Sequence, residues 1–192
     1  MTQQKESVVT PSRFDQGMTY AQWMDYIKLN KPKFEDNYQN TELSKEDAQA
    51  FRDLAAAPNG PVKMLVIGED WCPDVFRGLP VLARIAEAGG IELRIFAKDE
   101  NLDIMSEFLK DGEFQSIPTV VFYDKDHNYI CHWIERPAIA NKQVHLMHQI
   151  YEGKSREEAM PELIKFQQGP IWANWRKATV TEIRELLESH SR

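Results

Sequence analysis

Apolar positions recur at helical spacing toward both ends of the chain and run almost unbroken in its middle. Residues 1–13 are polar and without period, which predicts a loose tail. Behind a Thr19/Gln22 capping box, Tyr20, Trp23, Met24 and Ile27 fall on one helical face, so a helix is expected to run to about Asn30 and to stop at Pro32. A second helix should open at Ser44, with Asp47 three residues on, and place Ala48, Phe51, Leu54 and Ala55 together. Pro58-Asn59-Gly60-Pro61 marks a turn.

Beyond that turn the period changes. Val62–Ile67 is a continuous apolar run of strand length, suited to burial on both faces. Pro73–Ala88 reads as a helix ending at Gly89-Gly90, where a left-handed residue costs least. Ile91–Ala97 is a second strand and Asn101–Lys110 a helix reaching Gly112. Thr119–Tyr123 and Tyr129–Ile134 flank the polar turn Asp124–Asn128 as a hairpin. The first two strands, joined through a helix, should be parallel and the last two antiparallel. After Pro137 the pattern is helical again: Lys142–Glu152, a segment from the Ser155/Glu158 capping box, and Thr179–Ser189 behind Thr179/Glu182, with breaks at Pro161 and Gly169-Pro170. The expectation is one domain, with a tail and helical extension over 1–60, a mixed α/β core over 61–152 and a helical extension over 153–192.

Composition narrows the function classes. Lys+Arg 23 against Asp+Glu 30 leaves a net charge of -7, which argues against a nucleic-acid binder. No apolar run approaches the ~20 residues of a membrane span, and Met1–Gln16 lacks a positive-then-apolar leader. Two cysteines are too few for a disulfide framework. The expectation is a reduced, cytoplasmic protein with no nucleic-acid or membrane partner.

The chemistry is concentrated in Glu69-Asp70-Trp71-Cys72-Pro73-Asp74-Val75, where the first strand ends and a helix begins. There Cys72 faces free backbone N–H groups and the positive end of the helix dipole, both of which favour thiolate. The carboxylates of Glu69, Asp70 and Asp74 act the other way, unless Asp74 caps the helix start, and their balance stays open.

These residues resemble the thioredoxin superfamily. Trp71-Cys72 matches the Trp-Cys that opens its active-site motif, Pro80 stands eight residues after Cys72 where the family's helix bends, and Ile117-Pro118-Thr119 matches its Ile-Pro-Thr. The resemblance covers roughly residues 62–150. It implies a thioredoxin-like α/β fold, a cis Ile117–Pro118 bond beside Cys72, and a groove for an extended peptide shaped by Trp71, Pro73, Asp74, Ile117 and Pro118. A narrower resemblance is to bacterial thioredoxin-like proteins of unassigned activity, through Glu69–Asp74, Leu79–Val81, Asp99–Asp103, Ile117-Pro118 and Trp133–Pro137.

The departures bear on activity. Val75 stands where a dithiol thioredoxin has its second cysteine, and Val66 where such proteins bury an acid. Cysteine cycling within the motif is therefore excluded. Cys131, expected opposite Val121 and roughly 10 Å from the active end, lies beyond the ~7 Å Cα separation that a disulfide tolerates, and reads as a core residue. Two readings result. In the first, Cys72 alone is the catalytic nucleophile of a thiol oxidoreductase or thiol-exchange protein, its mixed disulfide with a protein substrate released by an external thiol. In the alternative, the chain is a redox-inactive module that binds a peptide or partner protein in the groove, with Cys72 buried and its pKa unshifted or raised. A glutathione-linked reading is disfavoured by Glu69 and Asp70, and a peroxide reaction by the absence of a nearby cation in the motif.

No cofactor or metal is implied. Asp124, Asp126, Asn128 and Glu135 have calcium-loop spacing, but Tyr129 occupies the required glycine position, so they read as a solvated turn. His132, His145 and His148 lack supporting ligands. Trp133, Trp172 and Trp175 are expected to pin extensions onto the core.

Overall fold

The computed structural model describes residues 7–191. Its centre is a four-stranded sheet of β1 (Lys63–Gly68), β2 (Glu92–Ala97), β3 (Thr119–Tyr123) and β4 (Tyr129–Ile134), in spatial order β2-β1-β3-β4. β1 and β2 are parallel, whereas β1–β3 and β3–β4 are antiparallel. This is the expected mixed sheet. Met64–Ile67 and Val120–Phe122, on the two central strands, are fully buried, as their unbroken apolar runs require. Val66 sits between Ile95 and Val120 with no exposure at all.

On the sheet lies α5 (Pro73–Gly89), closed by Gly90 in the left-handed conformation at φ 68°. Against α5 pack α3 (Lys31–Gln39), α4 (Lys45–Ala56) and α9 (Pro170–His190), and α7 (Ala138–Tyr151) and α8 (Arg156–Gln167) pack with α9. The helix α2 (Tyr20–Tyr26) carries the expected Thr19/Gln22 box and α8 the Ser155/Glu158 box. Ahead of α2, Met18 exchanges two backbone hydrogen bonds with Ile95, covering the β2 edge.

Several expectations are corrected. Residues 1–6 of the expected tail lie outside the described residues. The rest of it is ordered: Val9 and Phe14 are buried, and α1 (Pro11–Phe14) opens with Thr10 capping Arg13 N–H. Pro32 does not end a helix but occupies the first turn of α3, where proline's missing donor has no partner to lose. The Asn101–Lys110 helix shrinks to α6 (Leu102–Met105), which follows a 3₁₀ turn at Lys98–Glu100. α7 begins earlier than expected, at Ala138. Thr179 starts no helix: its hydroxyl donates to Trp175 O inside continuous α9, and Glu182 instead caps the start of α7 by accepting from Ala138 N–H. Pro161 lies within α8 and does not interrupt it.

Both extensions join the central core, and they meet each other at buried Asn37, whose side-chain oxygen accepts from Trp172 Nε1 and Arg176 Nη1, each at 3.0 Å.

Candidate functional site

β1 ends at Gly68, where the strand lies so close to Val75 that a Cβ would stand 2.8 Å from its Cγ1, so the position is held by glycine. Val75 is itself fully buried, so the position three residues after Cys72 serves packing. The chain then turns through Glu69–Trp71 and enters α5 with Cys72 as the N-terminal cap residue, its carbonyl accepting from Val75 N and Phe76 N. Pro73 occupies the first turn, again where no donor is needed.

The Ile117–Pro118 peptide is cis, and Cys72 Sγ donates to Ile117 O at 3.7 Å. A Cβ on Gly78 would stand 3.2 Å from Pro118 Cγ, so the helix backbone lies directly against this proline. Trp71 is 51% exposed beside Cys72, while Ile117 is buried. The structure thus brings Trp71, Cys72, Pro73, Asp74, Ile117 and Pro118 to the carboxyl end of β1, around the start of α5.

Of the three flanking carboxylates, two are turned to other tasks. Asp70 Oδ2 accepts from Lys28 N and Leu29 N, anchoring the end of α2, and Glu69 Oε1 accepts from Asp99 N. Asp74 does not cap α5. Its carboxylate is pinned between Arg77 Nη1 at 2.6 Å and Arg136 Nη2 at 2.8 Å. Arg136 also holds Glu135, which pairs with Lys110, so a chain of alternating charge ends two residues from the thiol. Arg77 is fully buried, its guanidinium stacked 5.3 Å from the Trp172 ring and 5.5 Å from Trp175.

Burial pushes the Cys72 thiol above its ordinary pKa. Hydrogen bonding by Val75 N–H and Asp74 N–H and the charge of Arg136 oppose that rise, and the Asp74 carboxylate adds to it. Burial outweighs the helix start. The expectation that no cation stands near Cys72 is therefore corrected: the Arg136 charge acts on it and the fully buried Arg77 senses it, although neither lies beside it in sequence. One signal for Arg77 was available, because an arginine three residues after Asp74, within the otherwise apolar stretch Val75–Ala83, calls for a buried partner.

Cys131 is buried opposite Phe122, not Val121. A bulge where Tyr123 pairs with Tyr129 adds one residue to β4 and shifts the register by one position, farther from Pro118. Its pKa is pushed by burial to about 12. Asp124 is likewise no solvated turn residue. It is 5% exposed, and its carboxylate accepts from the backbone of Asp126 and Asn128 and from the Asn128 side chain.

A parallel pair extended antiparallel, with a cysteine capping the helix after β1 and a cis-proline entering β3, defines a thioredoxin-like protein. The family model described as "Thioredoxin" (Thioredoxin_9) matches residues 17–164, and the chain belongs to that family. No curated protein matches it. Among solved structures it is similar to a Pseudomonas aeruginosa protein of unknown function, at TM-score 0.67 and 17% identity over 94% of this chain and 98% of that one. It is also similar to an HIV epitope-scaffold, at TM-score 0.64 and 19% identity over 94% of this chain and 99% of that one. At these identities the likeness concerns the fold.

Proposed function

We propose that the chain is a protein-binding member of its family, holding an extended segment of a partner protein across the groove of Trp71, Cys72, Ile117 and Pro118. The observation that supports this most directly is the state of Cys72: a half-buried thiol that donates to Ile117 O and whose pKa is raised by burial. A nucleophile for thiol exchange at neutral pH needs the opposite shift. With Val75 buried in place of a resolving thiol and Cys131 deep in the sheet, a disulfide on Cys72 has no internal exit. Extended peptides bind such grooves by main-chain hydrogen bonds, which need no covalent step.

A second reading keeps a specific observation in its favour. The amides of Asp74 and Val75 and the charge of Arg136 do act on the thiol, so Cys72 is equipped for single-cysteine exchange wherever it ionises. In that case the Cys72 thiolate attacks a protein disulfide and forms a mixed disulfide as one partner thiolate leaves; an external thiolate then attacks the partner's sulfur, forms a disulfide with it, and the Cys72 thiolate leaves.

The test is capture on immobilised wild-type and Cys72→Ser protein from cells that contain the chain. Under the binding reading the same partners are retained by both and resist dithiothreitol. Partners held only by wild-type protein, and released by dithiothreitol, would overturn it in favour of exchange.

A further inference from the structure

A concavity of about 560 Å³ adjoins the groove, lined by Tyr26, Lys28, Leu29, Glu69, Asp70 and Glu100. Asp70 immediately precedes Trp71, so this space lies next to the tryptophan that walls the groove. The opposite wall comes from the end of α2 and the residues after it. The two walls are tied together: Asn30 Nδ2 donates to Asp70 O at 2.9 Å, and Asp70 Oδ2 accepts from Leu29 N at 2.8 Å.

Its apolar surface is open to solvent. Tyr26 is 43% exposed and Leu29 53%, beside Trp71 at 51%. Large apolar side chains left uncovered around one concavity mark a surface that binds a partner.

Its charge is one-sided, since three carboxylates face the single ammonium of Lys28. Each carboxylate uses one oxygen within the fold: Glu69 Oε1 accepts from Asp99 N, Asp70 Oδ2 from Lys28 N and Leu29 N, and Glu100 Oε1 from Tyr26 Oη at 2.8 Å. The other oxygens have no partner among the described residues. Glu100 is exposed, and the free oxygens of half-buried Glu69 and Asp70 are not sealed from solvent. The three charges reach a common point. The Tyr26 hydroxyl is pushed up to about 12, first by its hydrogen bond to Glu100, then by burial and by the charges of Glu100, Glu69 and Asp70.

The shape of the site sorts the cation. Among the described residues no three acidic, histidine or cysteine side chains are placed to hold a metal ion. What suits a wider spread of carboxylates beside exposed apolar surface is a delocalised charge on a carbon stem. Arginine has both, and its planar head also packs on aromatic rings.

We propose that this concavity takes an arginine side chain of the partner segment held across the groove. Its guanidinium pairs with the free oxygen of Glu100 in the field of Glu69 and Asp70, and its stem lies on Tyr26 and Leu29. The same carboxylates repel an acidic segment. This inference names the chemistry of the partner and rests on the binding reading above.

The experiment passes a library of randomised hexapeptides over the immobilised full chain and sequences those retained. Arginine should be enriched at one position and apolar residues at others. Glu69→Gln with Glu100→Gln keeps the acceptors that Asp99 N and Tyr26 Oη use while removing two charges. That double variant should lose the arginine enrichment and keep the apolar one. A retained peptide remade with citrulline, which has the shape of arginine without its charge, should bind the unaltered chain about tenfold more weakly. Retention without arginine enrichment overturns the proposal and leaves the groove reading standing. So does an enrichment unchanged in the double variant, or equal affinity of the citrulline peptide, which needs no variant to read. No retention of any peptide overturns both.

Discussion

Arg136 Nη2 lies 2.8 Å from Asp74 Oδ2, and this contact ties the segment after β4 to the first turn of the helix that begins at Cys72. The same guanidinium acts on the thiol, lowering a pKa that burial raises. Replacing it removes a stabiliser of the thiolate. In a Cys131→Ser background, Arg136→Gln is expected to slow iodoacetamide alkylation of Cys72 at neutral pH about three- to tenfold. Cys131→Ser alone should leave the rate unchanged, because Cys131 is buried on β4 opposite Phe122. A rate unaffected by Arg136→Gln would show that the arginine does not reach the thiol electrostatically.

The carboxylate has a separate structural duty. Arg77 is fully buried, and Asp74 is the carboxylate that pairs with it. Removing that partner leaves a buried charge uncompensated, so Asp74→Ala should destabilise the fold by about 3–5 kcal/mol. Urea unfolding read by tryptophan fluorescence checks this. A second substitution, Arg77→Met beside Asp74→Ala, should recover part of the loss, since it removes the stranded charge.

Acid stability follows from Glu135. Burial raises its pKa, but the hydrogen bond from Lys110 and the charge of Arg136 outweigh that and hold it below the ordinary 4.5. The unfolded chain therefore takes up the proton first. The contribution is complete above about pH 4.5 and is lost as pH falls from there through the folded-state value. Glu135→Gln should flatten this part of the acid limb in urea midpoints measured against pH. An unchanged slope would remove Glu135 from the account.

The coupling between the two extensions is testable at Trp172. Its ring is fully buried against Phe76, Phe166 and Trp175, and its indole N–H bonds to Asn37 of α3. Trp172→Ala should cost about 3–5 kcal/mol in urea unfolding. Because α9 packs on α5, α4 and β4, the loss should appear as one transition for the whole molecule, visible in both secondary structure and fluorescence. Separate transitions would mean that the C-terminal helices unfold on their own.

Local chemistry in the sequence determined much of this protein. The boundaries of β3 and β4, the caps at Thr19, Ser44 and Ser155, the left-handed stop at Gly90, and the position of Cys72 at a helix N-terminus all follow from residues a few positions apart. They are legible because hydrogen bonds in turns and helix ends involve near neighbours. Where one residue type serves two local roles, the pattern misleads: Pro32 stops a helix or starts one, and only the packing of Phe34 into the core decides. The features that set the chemistry belong to the tertiary structure. Asp74 meets Arg136, and Asn37 meets Trp172 and Arg176, each through packing of distant segments. The direction of the Cys72 pKa belongs there too, because the dipole of its helix is local, whereas desolvation sums over every atom that keeps water away.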